Sequence, residues 1–163
     1  MSENDHFWMQ MAISLAKSSS YIDEVPVGAI IVKDNKIIST GINLRETTSD
    51  PTAHAEIIAI RKACKLLSSW RLIDCSLYVT MEPCVMCSGA LVQSRIKRVV
   101  YGCFDPKGGG MGSVYSIHKE PKLNHMIECN SDILADESSK LLKDFFKSKR
   151  QKQKKPTHQQ PTF

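Results

Sequence analysis

Two short motifs contain residue types that can hold a metal ion and move protons. The first places His54 two residues before Glu56, and the second places Cys84 three residues before Cys87. Cysteines three apart on a helix lie on one face, so both sulfurs can reach the same ion. His54 can supply a third ligand through a neutral ring nitrogen. The motifs therefore predict a metal site with His54, Cys84 and Cys87 as ligands.

Three protein ligands leave one corner of a tetrahedral zinc ion open for water, which is typical of catalytic rather than structural zinc. Two thiolates offset the charge of the ion, and the bound water can still lose a proton near neutral pH. Glu56 is then the free carboxylate beside the metal, and we predict that it passes the proton of the water to the substrate. One zinc ion per subunit is the expected cofactor, and no organic cofactor is expected.

Each motif alone has a simpler interpretation. A single Cys-x-x-Cys is more often half of a structural zinc site or a redox pair, and His-x-Glu at a helix start is most often a surface feature. Structural zinc, however, usually takes four protein ligands, and the sequence has no second Cys-x-x-Cys. The combination of the two motifs, each at a predicted helix start, favours the catalytic site. The remaining cysteines are predicted to be small core residues: Cys64, Cys75, Cys103 and Cys129.

The elements that must position these motifs follow from the apolar pattern. Helical periodicity and start signals predict four helices, at about residues 5–19, from Thr52 onward, 83–93 and 131–150. Apolar, β-branched runs predict five strands, at residues 27–32, 36–42, 77–81, 98–102 and 126–129. Asp34-Asn35 between the first two strands predicts a hairpin turn. Alternating strands and helices after a hairpin predict an α/β fold, a mixed sheet covered by helices.

Two segments lack a strong pattern. The glycine-rich stretch at 108–112 follows the fourth strand but lacks the Lys-Ser/Thr of a phosphate-binding loop, so we predict a mobile surface loop. Residues 151–163 contain almost nothing apolar. The chain is therefore predicted to consist of one domain, residues 1–150, and a basic, disordered tail, residues 151–163.

Positive charge is concentrated near the end of the chain. The net charge is +5, but residues 140–155 hold eight basic side chains against one acid, Asp144, so this segment carries +7 and the rest −2. The segment is either a solvated helix end or an electrostatic arm for a polyanion. Charge alone does not favour one of these.

The N-terminus has acidic and polar residues where a signal peptide needs positive charge followed by an apolar run. No apolar stretch has the length needed to span a bilayer. We expect a cytoplasmic protein without a membrane partner, in which the cysteines stay reduced.

The two motifs in this order resemble the signature of the zinc-dependent cytidine deaminase superfamily. Longer segments resemble, more narrowly, the tRNA-specific adenosine deaminases: Glu24–Ala29, Asp50–Glu56, Arg71–Ile73, Leu77–Cys87, Ser94–Ile96, Ile133–Glu137 and Asp144–Phe146. The resemblance extends from about residue 6 to residue 150, nearly the whole predicted domain.

This resemblance implies a three-layer α-β-α sandwich with a five-stranded mixed sheet, usually in a homodimer. It implies conversion of the wobble adenosine of a tRNA to inosine, with the anticodon stem-loop as partner. It also implies substrate contacts by Asn43, Asp105, Lys107, Phe145 and Phe146. For the two phenylalanines a core position is the alternative, because they share a helical stripe with two leucines.

Two other functions are compatible with the same motifs. A deaminase of free cytosine, guanine or nucleosides would keep the zinc site but would need no basic segment. A non-catalytic RNA-binding subunit with structural zinc would be expected to lack the shuttle carboxylate, whereas Glu56 is present. The basic segment and the longer segments therefore favour the RNA deaminase.

Overall fold

The computed structural model describes residues 3–154, with side chains for residues 4–153. Its elements are α1 (Glu3–Ser20), β1 (Gly28–Lys33), β2 (Lys36–Ile42), α2 (Arg45–Thr48), α3 (Ala55–Leu66), β3 (Ser76–Met81), α4 (Val85–Gln93), β4 (Arg98–Cys103), a 3₁₀ turn (Ile117–Lys119), β5 (Glu128–Asn130) and α5 (Ala135–Lys154). Across this part of the chain, every helix is too short or too polar to cross a bilayer.

The five strands form one sheet in the order β2-β1-β3-β4-β5. β1 pairs antiparallel with β2 and β3, whereas β3–β4 and β4–β5 are parallel. Asp34 and Asn35 have left-handed φ values of 48° and 57°, as the predicted two-residue hairpin turn requires. The predicted α/β fold with a five-stranded mixed sheet is confirmed.

The strand directions place four carboxyl ends at one edge of the sheet. Because β1 runs opposite to both of its neighbours, and β4 and β5 are parallel to β3, the strands β2, β3, β4 and β5 point the same way. The segments that leave these strands therefore begin side by side; α2 and then α3 follow β2, and α4 follows β3. An α/β sheet commonly binds its ligand at this edge.

Helices cover both faces of the sheet. On one face, a core cluster that includes Ala59 of α3, Leu91 of α4 and Leu77 of β3 is fully buried. On the other face, Met9 of α1 packs with Ile30 of β1, and α5 lies against β4. The result is the three-layer α-β-α arrangement, in which the sheet supplies apolar side chains to both cores.

The helix that carries Glu56 starts later than predicted. Thr52 was expected to be its N-cap, but Thr52 forms a separate turn in which its hydroxyl and its backbone N–H both donate to the Asp50 carboxylate, at 2.7 and 2.8 Å. α3 begins at Ala55, and His54 occupies the N-cap position with extended backbone angles. His54 therefore lies at the N-terminus of α3, near the carboxyl ends of the strands.

The last helix also differs from its predicted range. It begins at Ala135 because Asp132 and Leu134 have left-handed φ values of 69° and 52°, which keeps this stretch out of the helix. It continues to Lys154, so the prediction of disorder for residues 151–154 is wrong. The rest of the predicted tail, residues 155–163, lies outside the described residues, and the domain boundary stays a prediction.

The four cysteines outside the motif are free thiols in or beside the core. Cys75 and Cys103 are buried, whereas Cys64 and Cys129 are partly buried and pack against the larger cluster. The prediction that these cysteines are small core residues is confirmed for Cys75 and Cys103. Cys64 and Cys129 lie at the edge of the core.

A buried ion pair fastens α1 to β4. Asp5 is 1% exposed, and its carboxylate accepts hydrogen bonds from Arg98 Nη1 at 2.8 Å and Arg98 Nη2 at 3.0 Å. The Tyr78 hydroxyl donates to the same carboxylate at 3.0 Å. Such a pair stabilises a fold only while both partners are present.

Replacing Asp5 with alanine is expected to lower the free energy of unfolding by about 1–3 kcal/mol, because Tyr78 loses a buried acceptor while the partly exposed Arg98 keeps Glu128 and Asn130 as partners. Urea unfolding measures this difference. The control is Asp144→Ala, which breaks an exposed pair with Lys140 and should cost less than about 1 kcal/mol. Equal losses in the two variants would contradict the role of the buried pair.

Candidate active site

The structure brings the three predicted ligands together at the edge of the sheet where β2, β3 and β4 end. His54 is at the N-cap of α3, Cys84 is at the N-cap of α4, and Cys87 is in the first turn of α4. His54 Nδ1 lies 3.6 Å from Cys84 Sγ and 3.5 Å from Cys87 Sγ. All three potential ligand atoms lie within 4.8 Å of one another. The two motifs thus form one cluster.

The spacing of this cluster fits a zinc ion. Zinc binds cysteine sulfur at about 2.3 Å and histidine nitrogen at about 2.0–2.1 Å, so adjacent N and S corners of a tetrahedron lie about 3.5 Å apart. The two nitrogen–sulfur distances, 3.5 and 3.6 Å, match that separation. Two thiolates and an imidazole are also a ligand set that suits zinc. The residues present therefore fit the ion.

Contacts within the cluster favour the thiolate form of one ligand, Cys84, and the protonated forms of the other two, Cys87 and His54. A hydrogen bond from Cys87, together with one from His54, lowers the pKa of the Cys84 thiol to about 4. The partnership with Cys84, and then burial, raise the pKa of Cys87. The hydrogen bond to Cys84 raises the pKa of His54. Cys84 is thus a thiolate at neutral pH, ready to bind a cation.

Glu56 lies beside the cluster without being one of its three members. It is the second residue of α3 and is only 4% exposed. Burial raises the pKa of its carboxyl to about 7. A carboxyl with a pKa near neutrality can both accept and donate a proton, which is the property required of a general acid–base.

A cavity of about 230 Å³ opens onto these residues. Its walls combine apolar and polar side chains, and it is lined by Val25, Val27, Asn43, Arg45, His54, Ala55, Glu56, Met81, Glu82, Cys84, Asp105 and Phe146. The cluster and Glu56 therefore face a concave space that admits a small group such as a nucleobase.

Comparison with known families agrees with this geometry. The cytidine and deoxycytidylate deaminase zinc-binding region matches residues 2–103. The tRNA-specific adenosine deaminase of Haemophilus influenzae is 46% identical over 154 residues, which cover 94% of this chain and 89% of the relative. The chain belongs to the family of tRNA-specific adenosine deaminases.

Two further proteins are similar to this deaminase over most of its length. The tRNA-specific adenosine deaminase of Bacillus subtilis is 45% identical over 150 residues, covering 92% of this chain and 93% of the relative. A structure solved in a study of A-to-I editing by tRNA:A34 deaminases at the wobble position is 41% identical with a TM-score of 0.79. That match covers 82% of this chain and 97% of the solved chain.

The predicted substrate contacts of the deaminase divide into two groups. Asn43, Asp105 and Phe146 line the cavity with Glu56. Lys107 is exposed and does not line it; its backbone N–H donates to the Asp105 carboxylate at 3.1 Å. Phe145 also lies outside the cavity. The structure thus brings three of the five residues to the cavity beside the cluster of His54, Cys84 and Cys87.

The remaining aromatic residue lines a neighbouring groove. Phe145 and Phe146 border a groove of about 620 Å³ together with Lys149 and Arg150 of α5. This groove shares Val25 and Phe146 with the cavity. Phe146 is 45% exposed and Phe145 is partly buried, so neither occupies the core position considered as their alternative. The aromatic pair and the basic helix therefore border a surface that continues from the cavity.

The glycine-rich loop of the deaminase is anchored, contrary to the prediction of a mobile surface loop. The buried Glu82 carboxylate accepts hydrogen bonds from the backbone N–H groups of Asp105, Met111 and Ser113, each at 3.0 Å, and from the Ser113 hydroxyl. A Cβ on Gly109 would lie 2.4 Å from this carboxylate, so only glycine fits there. The loop therefore closes over Glu82 and holds Asp105 at the cavity.

We expect Glu82→Gln to loosen this loop. A glutamine amide presents one oxygen where the carboxylate presents two, so at least one loop N–H loses its partner, at a cost of about 1–3 kcal/mol. Amide hydrogen exchange across residues 105–113 should accelerate, as measured by mass spectrometry. Glu120→Gln, at an exposed site, is the matched control. Unchanged exchange in the Glu82 variant would contradict the anchoring role.

Two polar residues of the cavity, Arg45 and Glu82, were not predicted as site residues. Arg45 lies in α2, a four-residue helix that is too short to produce a periodic signal. Glu82 directly precedes the cysteine motif at the end of β3, and an acid at the end of an apolar strand was the available signal. Its partners lie 23 to 31 residues further along the chain, so the anchoring itself was not visible.

Proposed function

We propose that this deaminase converts the wobble adenosine of a tRNA anticodon loop to inosine by hydrolytic deamination. The observation that carries the proposal is a buried carboxylate, Glu56, beside a three-ligand cluster that opens into a base-sized cavity. Support for the substrate comes from relatives of nearly equal length that are named tRNA-specific adenosine deaminases. The solved relative was studied for editing of A34.

In the proposed mechanism His54, Cys84 and Cys87 would hold one Zn²⁺ per subunit. A bound zinc ion lowers the pKa of water, so that a nucleophile is available near neutral pH. Glu56 accepts the proton that the water loses and donates it to the adenine ring nitrogen beside the carbon that bears the amine. The oxygen of that water forms a bond to this carbon. Glu56 then takes the remaining hydroxyl proton and passes it to the amine, the C–N bond breaks, and ammonia leaves while the carbon keeps the oxygen as a carbonyl.

The five predicted contact residues hold the RNA in this proposal. Asn43 hydrogen-bonds the target nucleoside, and Asp105 and Lys107 contact the flanking RNA. Phe145 and Phe146 lie against the neighbouring nucleotides, where aromatic faces can stack on unpaired bases. Support comes from the positions of Asn43, Asp105 and Phe146 around the cavity. A loop nucleotide suits this site because it leaves its stack at little cost.

The charge of α5 favours RNA over a free base as substrate. Arg150 borders the groove next to the cavity, where Lys149 pairs with Asp23, and the helix carries further basic side chains along its length. Cationic side chains near phosphates release counterions and strengthen binding at low salt. A free base carries no phosphate, so this charge would contribute nothing to its binding. The homodimer stays a prediction based on the resemblance, and the cytoplasmic location stays a prediction based on the N-terminal composition.

The proposal is tested with an unmodified anticodon stem-loop that bears a wobble adenosine. We expect inosine to form in this RNA, while free adenosine, cytosine and guanine remain unchanged under the same conditions. Conversion of a free base without conversion of the stem-loop would assign the chain to deamination of small molecules. A stem-loop with guanosine at the wobble position controls for contaminating activities.

A further inference from the structure

We propose that Glu24 is a positioning residue for the reaction, because it orients the Asn43 side-chain amide so that the amide oxygen faces the substrate cavity. The proposal rests on the proposed function in one respect: it takes the cavity beside Glu56 as the place of the target nucleoside. Glu24 itself does not line that cavity and is not one of the predicted site residues.

Glu24 is a fully buried acid on the segment between α1 and β1, with 0% exposure. Burying a carboxylate costs several kcal/mol unless hydrogen bonds compensate for the lost water. One oxygen, Oε2, accepts a hydrogen bond from Asn43 Nδ2 at 3.0 Å. The other oxygen, Oε1, accepts from the backbone N–H of Thr47 at 2.7 Å. Both carboxylate oxygens thus accept hydrogen bonds from the segment that follows β2.

The chemistry of a carboxylate determines which atom of Asn43 it contacts. An ionised carboxylate only accepts hydrogen bonds, so the Asn43 NH₂ group must face Glu24. The amide oxygen then occupies the opposite branch of the side chain. Asn43 is 6% exposed and lines the cavity together with Glu56. The Asn43 amide oxygen therefore faces the cavity as a hydrogen-bond acceptor. It suits a donor on the nucleoside, such as a ribose hydroxyl or the exocyclic amine.

The hydrogen bond from the Thr47 N–H to Glu24 fixes the direction of the hydrogen bond between Glu24 and Asn43. A backbone N–H cannot exchange donor for acceptor, so the group opposite Thr47 must always be an oxygen. A glutamine at position 24 would place its oxygen toward Thr47 and its NH₂ toward Asn43. Asn43 would then flip to present its own oxygen to that NH₂ and would turn its donor toward the cavity. All hydrogen bonds within the protein would be kept, but the cavity would lose its acceptor.

The test is a double-mutant cycle of Glu24→Gln and Asn43→Asp. We expect Glu24→Gln to reduce kcat/KM for the anticodon stem-loop by about tenfold to a hundredfold, since a substrate donor then meets a donor. Asn43→Asp should reduce kcat/KM as well, because it places two carboxylates in contact. In the double variant the glutamine donates to the new aspartate, which keeps an oxygen toward the cavity. The double variant should recover to within about threefold of the wild type.

Stability and zinc content separate positioning from a general structural role. Glu24→Gln should keep its melting temperature and its bound zinc, because every internal hydrogen bond has a replacement. A Glu24→Gln variant with wild-type kcat/KM would overturn the proposal. A double variant no more active than the weaker single variant would overturn it as well, since Glu24 would then serve only the fold.

A measurement without substrate keeps this test independent of the proposed function. In the wild type, the Asn43 side-chain NH₂ should be protected from hydrogen exchange, as seen by NMR, and should lose its hydrogen-bonded chemical shift in Glu24→Gln. Rapid exchange in the wild type would overturn the orientation even if the stem-loop is not a substrate. An inactive wild type with a protected Asn43 amide would instead refute the proposed function alone.

Discussion

Replacing Glu56 with glutamine is expected to abolish turnover while leaving the metal site intact. Glutamine keeps the shape of the side chain but cannot accept and return a proton at neutral pH. General acid–base groups contribute about 10²- to 10⁴-fold to rates, and Glu56 handles two protons in the proposed mechanism, so kcat should fall by about 10⁴-fold or more. Single-turnover formation of inosine in the stem-loop measures the effect.

Two readouts distinguish this effect from damage to the fold. Zinc content, measured by mass spectrometry of the metal, should remain that of the wild type, because Glu56 is not among the three clustered ligands. The melting temperature should stay equal or rise, since a buried carboxylate is replaced by a neutral amide. Glu137→Gln, an exposed change at the start of α5, is the matched control. More than a tenth of wild-type activity in Glu56→Gln would refute the shuttle.

Replacing Cys84 with serine is expected to remove the metal, the activity and part of the stability together. A hydroxyl is a much weaker zinc ligand than a thiolate, and two remaining ligands do not hold the ion. A ligand present at a thousand times its Kd stabilises the folded state by about 4 kcal/mol. Loss of zinc should therefore lower the melting temperature by about 10 °C, as measured by calorimetry alongside zinc content.

Cys64→Ser is the matched control, since Cys64 is also partly buried but lies outside the cluster. It should retain zinc and activity. A chelator should lower the melting temperature of the wild type to that of Cys84→Ser and should leave that variant unchanged. Full zinc content in Cys84→Ser would show that the ion is held elsewhere.

Features governed by neighbours in the chain were predictable from the sequence. The Asp34-Asn35 hairpin was predicted because only a few residue types tolerate left-handed φ values. Cys84 and Cys87 were predicted to share a helix face because helical geometry relates residues three apart. The residue types of the cluster also restrict the metal, because thiolate and imidazole suit zinc.

The errors occurred where a distant or competing partner decided the outcome. Thr52 has the chemistry of an N-cap, but its hydroxyl donates to the Asp50 carboxylate, and the N-cap is His54, two residues later. The glycines after β4 indicated a mobile loop, but Glu82 binds the loop backbone across more than twenty residues. The turn at Asp50 and Thr52 is local and competed with the N-cap for the same hydroxyl, whereas no local pattern records the anchoring of the loop by Glu82.

By itself, the sequence determined which groups are available for the chemistry: three candidate metal ligands, one free carboxylate and a basic helix, each within its own local element. Only the tertiary structure decided that they meet. The sheet order brings the ends of β2, β3 and β4 to one edge, and this places Asn43, Glu82 and Asp105 around the cluster. It also buries Glu24 against Asn43, which are 19 residues apart in the chain. The physical reason is that helical and strand periodicity act over a few residues, whereas strand pairing and burial join segments without regard to their separation.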